Sequence, residues 1–128
     1  MATNITRYLG SNVGISVPVS HPTTPTSGAP VRYGEHCGIA LTNKGDGGNV
    51  AANTTVLFQP CEVKVSVKAV DGGGNSAVAI GDSIYYVDAD TPVLSKKATG
   101  YFFGEAQEAI TSGSTATIKV LRGLPPNA

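Results

Sequence analysis

Strict alternation of apolar and polar residues marks two long segments of this chain. In residues 61–69 every odd-numbered position is apolar and every even-numbered one is Glu, Lys or Ser. In residues 115–120 the alternation is as regular, with Ala, Ile and Val on one face and Thr or Lys on the other. A period of two is typical of a strand with one face in a core and one face outside. Both segments are therefore predicted to be strands.

Shorter runs rich in β-branched and aromatic residues predict further strands, and Gly, Asn, Asp and Pro separate them as turns. Residues 105–110 contain helix-forming residues but are too few for a stable isolated helix. We expect them to continue a strand, with a single helical turn as the alternative. Residues 71–75 are expected to form a loop, and 77–123 an antiparallel meander. The remaining predicted strands are 12–17, 31–33, 36–42, 53–58, 84–87, 93–94 and 101–106.

These patterns predict an all-β fold, a compact antiparallel β-sandwich or barrel-like domain. Residues 1–12 are expected to form an extended N-terminal arm, 13–123 the β-rich domain, and 124–128 a C-terminal tail. Four prolines between residues 18 and 30 predict a stiff, extended loop, since proline fixes φ and biases the preceding residue to extended geometry.

Composition narrows the function classes. Charged residues are 14% of the chain, against roughly a quarter in typical soluble proteins, which suits a surface that ends against other subunits. Nine basic and nine acidic residues cancel, and no basic cluster exceeds Lys96-Lys97, so no nucleic-acid partner is expected. No signal peptide or membrane-length apolar run is recognised, so we expect a cytoplasmic chain without a membrane partner. Cys37 and Cys61 fit that compartment as free thiols, with a disulfide as the less favoured alternative.

Candidate catalytic and metal-binding residues are few. Asp88 and Asp90 could share a cation, but both are also ordinary turn residues. His36 and Cys37 are adjacent in a predicted strand and would point to opposite faces, which disfavours a zinc site. The glycine clusters at 45–48 and 72–74 lack the Gly-Lys-Ser/Thr of a phosphate-binding loop. Glu105 and Glu108 have no other feature of a glycosidase. We therefore expect no enzyme activity, no metal and no cofactor.

Several short, glycine-based segments resemble, in their order and spacing, the tailed-phage capsid cement (head decoration) family. They are Ala-Ile-Gly-Asp-Ser-Ile-Tyr-Tyr at 79–86, a lysine-bearing turn, Thr-Gly-Tyr-Phe-Phe-Gly-Glu-Ala at 99–106 and Thr-Ile-Lys-Val-Leu at 117–121. Upstream, Ser-Gly-Ala-Pro-Val at 27–31 and Gly-Ile-Ala-Leu-Thr at 38–42 match as well. The resemblance covers about residues 25–123.

The resemblance implies a structural virion protein on the outer capsid surface, assembled in the host cytoplasm. Such a protein binds the major capsid protein, acts as a homotrimer and stabilises the shell by bridging neighbouring capsomers. The alternatives are a carbohydrate- or receptor-binding β-module displayed on the phage head, which the scarcity of aromatic residues disfavours, and a minor enzyme dependent on Asp88 or Asp90. The candidate capsid or inter-subunit contacts are Ile5, Tyr8 and Leu9 in the arm, Pro22 and Pro25 in the loop, and Tyr101, Phe102 and Phe103.

Overall fold

The fold is all-β, as the alternation predicts. A computed structural model describes residues 2–8 and 13–123 of the chain, and in these ranges no residue is helical and 47% are in strands. A closed five-stranded barrel forms the larger part, with additional sheets beside it. The strands are β1 (Ile5–Tyr8), β2 (Ile15–Val17), β3 (Pro30–Tyr33), β4 (His36–Ala40), β5 (Thr54–Leu57), β6 (Cys61–Lys68), β7 (Val70–Asp71), β8 (Gly74–Asn75), β9 (Ser83–Tyr86), β10 (Leu94–Ser95), β11 (Tyr101–Ala106) and β12 (Thr115–Arg122).

The two strongly alternating segments form the central pair of the barrel. Strands β6 and β12 are antiparallel along their whole length, from Thr115 opposite Lys68 to Arg122 opposite Cys61. The ring closes in the order β6-β10-β9-β11-β12 and back to β6. The odd positions of β6 are buried and the even ones are outside, so the period-two pattern is explained by a barrel interior.

The predicted meander is wrong in one respect. In a meander β10 would lie between β9 and β11, but in the barrel β9 lies between β10 and β11. Strand β10 is also parallel to β6, with Leu94 opposite Val67. Strand β10 pairs with β6 because β1 pairs only with the first part of β6, from Cys61 to Val63. The rest of that edge of β6 is free to pair with the two-residue β10. This short parallel contact closes the barrel.

A four-stranded antiparallel sheet in the order β2-β5-β4-β3 packs on the barrel. Its inner face contributes Cys37, Ile39 and Leu57 to the same hydrophobic core as the barrel residues. Its other face carries a second buried cluster formed by Val17, Val31, Ala40 and Val56, with Val19 and Phe58 packed against it. The sheet therefore has apolar side chains on both faces, although only one face lies on the barrel.

Three local predictions also differ from the structure. Strand β11 ends at Ala106 and residues 107–109 lie outside any strand, while Ile110 forms an isolated bridge with Val78. Residues 70–75, expected in part as a loop, contain the hairpin of β7 and β8. The strand predicted at 12–17 is shorter, because β2 begins at Ile15, and residue 12 lies outside the described residues.

Residues 2–8 of the predicted N-terminal arm are described, and they lie against their own barrel. The side-chain amide of Asn4 donates hydrogen bonds of 2.9 Å to the carbonyl oxygens of Gly28 and Lys64. Ala2 is buried in the main core. The first residues are thus held by β6 and by the segment before β3, since backbone pairing and side-chain bonds act together.

Candidate functional site

Two of the arm residues predicted as contacts, Ile5 and Tyr8, lie beside β6. Ile5 is half-buried against the main core, opposite Val63, and Tyr8 is exposed, opposite Cys61. Leu9 lies outside the described residues. Of the arm candidates that the structure describes, Tyr8 offers the larger accessible surface.

The two loop prolines have different environments. Pro22 is half-buried and lines a small cleft of about 280 Å³ together with Pro92. Pro25 is buried, and its carbonyl oxygen accepts a hydrogen bond of 3.1 Å from the backbone of Lys44. The proposed contact role of Pro25 is therefore corrected to an interior one, because the loop folds back over its own domain.

The aromatic triplet of β11 is divided between surface and core. Tyr101 is exposed, Phe102 is half-buried with its ring edge-on to Tyr85 at 6.0 Å, and Phe103 is fully buried. A register shift between Phe102 and Gly104, where β11 pairs with β9, breaks the alternation at this point. Phe103 is a core residue and not a contact residue. Tyr101 and Phe102 are accessible from outside.

Arg32 joins the four-stranded sheet to the barrel. Its Nε and Nη2 donate to the two carboxylate oxygens of Asp88 at 2.9 and 2.7 Å, and Nη1 donates to the carbonyl oxygen of Gly34. Its guanidinium also lies 4.7 Å from the centre of the Tyr101 ring, within cation–π range. The hydrogen bond from Arg32 holds the pKa of Asp88 below its ordinary value, and the same bond raises the pKa of Arg32.

Arg122 is a buried cation that forms an ion pair with no carboxylate of residues 2–8 and 13–123. It is 7% exposed, and Nη1 donates to the carbonyl oxygen of Cys37 at 2.7 Å while Nη2 donates to that of Phe58. Its Nε has no hydrogen-bond partner among the described residues. Burial lowers the pKa of Arg122. Arg122 thus carries a positive charge in the interior that two neutral carbonyl groups only partly compensate.

Arg122 is not among the candidate residues that the sequence indicated. A signal was present, because Arg122 falls on the same face of β12 as Ala116, Ile118 and Val120. A charged residue in phase with the apolar positions of a strand points toward the interior. Its hydrogen-bond partners lie far away in the chain, so the sequence did not indicate them.

A cleft of about 600 Å³ opens beside Arg122. An adjoining apolar cleft of about 290 Å³ shares two of its lining residues, His36 and Phe58, and adds Ile15, Val17 and Tyr33. We call the two together the Arg122 groove. The residues that line the larger cleft are Glu35, His36, Cys37, Phe58, Gly100, Tyr101, Phe102, Arg122 and Gly123.

Three of the four acidic residues considered for chemistry have structural partners. Asp88 is paired with Arg32, and Asp90 lies 2.8 Å from the Nζ of Lys97. Glu108 accepts a hydrogen bond of 2.8 Å from the backbone of Lys119. Within residues 2–8 and 13–123, no group of three or more His, Cys, Asp or Glu residues is arranged to hold a metal ion.

The remaining candidates for chemistry are two buried thiols. Cys37 and Cys61 are both free and both buried. Burial raises the pKa of Cys37 to about 12, so at neutral pH it is a protonated thiol and a weak nucleophile.

In the part of the chain that the structure describes, no helix is long and apolar enough to cross a membrane.

Comparisons with protein-family models, with curated proteins and with solved structures found no match to this chain.

Proposed function

We propose that this chain is a structural virion protein of the tailed-phage capsid cement type. It binds the major capsid protein on the outer surface of the shell, as a homotrimer, and stabilises the shell by bridging neighbouring capsomers. It acts by binding and catalyses no reaction. The class comes from the resemblance of residues 79–121 and of the shorter segments upstream.

The observation that carries this proposal is the apolar outer face of the four-stranded sheet. Ile15 is 56% exposed and Tyr33 is 37% exposed, and half-buried Val19 and Phe58 lie against the buried cluster of that face. Exposed apolar surface of this kind marks interaction sites more often than it occurs on a free monomer. A chain with 14% charged residues has few groups to keep such a face apart from other proteins.

Trimeric binding gives the mechanism. A trimer that contacts several capsid subunits makes its second and third contacts effectively intramolecular, so modest interfaces add up to high avidity. Each contact then needs only a standard or smaller interface of about 1,600 Å² or less. The arm with Tyr8 and the outer face with Ile15 are accessible for such contacts.

The test is binding of the purified chain to phage heads that lack it. We expect saturable cosedimentation with the heads and a rise in the temperature at which they release their DNA. Ile15→Lys places a charge on the outer face and should weaken binding by about tenfold or more, since a buried unpaired charge at an interface is costly. Ile80→Lys is the matched control, because Ile80 is 73% exposed and lies outside the four-stranded sheet.

Two outcomes would contradict the proposal. One is no binding to heads at saturating concentration. The other is binding of free glycans in place of heads, which is the result that a carbohydrate- or receptor-binding module predicts.

A further inference from the structure

We propose that the Arg122 groove binds an extended segment of the partner protein that carries an Asp or Glu next to an aromatic or aliphatic side chain. The inference deepens the proposed function, because it names a docking surface and the chemistry of the partner. It rests on that function only for the identity of the partner.

The positive charge of Arg122 is not compensated by a carboxylate among the described residues. An ionised group in the interior destabilises the fold unless an opposite charge and a full set of hydrogen bonds compensate it. Arg122 has two carbonyl acceptors, and its Nε has none among the described residues. Glu35 lines the same cleft, but it forms no ion pair with Arg122. A carboxylate supplied from outside would meet this unbalanced charge.

The comparison with Arg32 supports this argument. Arg32 lies in the same part of the molecule and is neutralised by both oxygens of Asp88. Its side chain is 15% exposed, whereas Arg122 as a residue is 7% exposed. Among the described residues, the more deeply buried arginine is thus the one without a carboxylate partner. Charge complementarity therefore selects an acidic ligand for the groove.

The groove also has an apolar half. His36 and Phe58 line both clefts, and their rings are edge-on with centroids 6.3 Å apart. The Tyr33 ring lies 6.3 Å from Phe58 on the same face. These rings, with Ile15, provide a continuous apolar surface beside the buried cation. An aromatic or aliphatic residue of the ligand would lie there while its acidic neighbour reaches Arg122.

The test begins with selection from a random peptide library displayed on an unrelated carrier, with the immobilised full chain as the target. We expect the enriched peptides to share an Asp or Glu within one or two positions of an aromatic or aliphatic residue. Replacing that acid by its amide in a synthetic peptide should weaken binding by about tenfold or more, as removal of one member of a buried charge pair does. This comparison leaves the protein unchanged, so a folding defect cannot cause the result.

Variants of the protein then locate the binding site. His36→Ala and Tyr101→Ala lie at the exposed rim of the groove and should each weaken the peptide. Arg122→Gln should weaken the acidic peptide but not its amide form. Arg7→Gln is the matched control, since it removes an exposed arginine from β1, and it should leave affinity unchanged.

Enriched peptides without an acidic residue, or equal affinity for the acid and the amide, would overturn the inference, and so would a selection that enriches nothing. A groove filled by a second copy of this chain would overturn it too. In that case His36→Ala would lower the oligomeric state of the chain in solution, whereas a groove that binds the partner protein leaves that state unchanged. The failure of the groove proposal can be distinguished from the failure of the proposed cement function. Head binding that His36→Ala does not change refutes the groove alone, whereas acidic peptides without head binding refute the cement function alone.

Discussion

At the scale of single residues, Arg32 and Arg122 use the same side chain differently. Arg32 makes an ion pair with Asp88 and stacks on Tyr101, which fixes the relative position of β3 and the barrel. Arg122 holds the sheet through two carbonyl groups, of Cys37 and Phe58. The charge of Arg32 is thus neutralised by a carboxylate. The buried charge of Arg122 is not, and its Nε could still donate a hydrogen bond. One side chain type therefore gives a structural contact in one place and a candidate binding group in the other.

The ion pair of Arg32 and Asp88 makes stability depend on pH. Because the folded pKa of Asp88 lies below its unfolded value, near 3.9, the contribution is present above that value and is lost as pH falls through the folded pKa. Since the carboxylate is 39% exposed, we expect Asp88→Asn to lower the free energy of unfolding by only about 0.5–1 kcal/mol at pH 7. The difference should shrink as the pH falls below about 3.9 and should be lost once the pH lies below the folded pKa of Asp88.

Urea denaturation of both proteins at pH 7, 4 and 2.5 measures this difference. Glu35→Gln is the control, because Glu35 is an exposed acid in the turn after β3, and it should change stability by less than about 0.5 kcal/mol. A difference between wild type and Asp88→Asn that is the same at all three pH values would contradict the assigned role.

At the scale of elements, β11 depends on close backbone approach. Gly104 lies in β11 opposite Arg122 of β12, and the register with β9 shifts between Phe102 and Gly104. A Cβ atom at Gly104 would overlap the carbonyl oxygen of Leu121 and lie 2.9 Å from the Cα of Arg122. Neither contact is the end of a flexible side chain, so the backbone of β12 would have to move. The glycine therefore keeps the barrel closed at the strand that carries Arg122.

Gly104→Ala should consequently destabilise the chain by about 1–3 kcal/mol, the usual cost of overpacking a close-packed interior. Gly72→Ala is the matched control, since no atom lies within 4 Å of a Cβ placed there, and it should change stability by less than about 0.5 kcal/mol. Thermal and urea unfolding of the two variants provide the measurement. Equal stability of Gly104→Ala and wild type would mean that β11 and β12 are not in such close contact.

At the scale of the whole molecule, the sequence predicted best what local alternation determines. Residues 61–69 were identified as a strand because one face of β6 is buried, and the all-β class followed from several such runs. The two-residue β10 was predicted, but its parallel pairing with β6 was not, because the partners are distant in the chain. The bulge beside Phe103 and the burial of Pro25 likewise depend on contacts that only the folded chain creates.

The candidate site was predicted less completely than the fold. Tyr101 and Phe102 were singled out, and they line the cleft beside Arg122. Arg122 itself was overlooked, although its phase along β12 placed it with the interior residues. The partners of its guanidinium come from β4 and from the segment after β5, so the groove exists only once the sheet has packed on the barrel.

The most direct test of the proposed cement function is an electron cryomicroscopy map of the phage heads used in the binding test, after saturation with this chain. If the chain is a cement protein, we expect an additional density on the outer surface of the shell, at three-fold and quasi-three-fold positions, into which three copies of the barrel and its sheet fit. A map in which no such density lies outside the shell would contradict it.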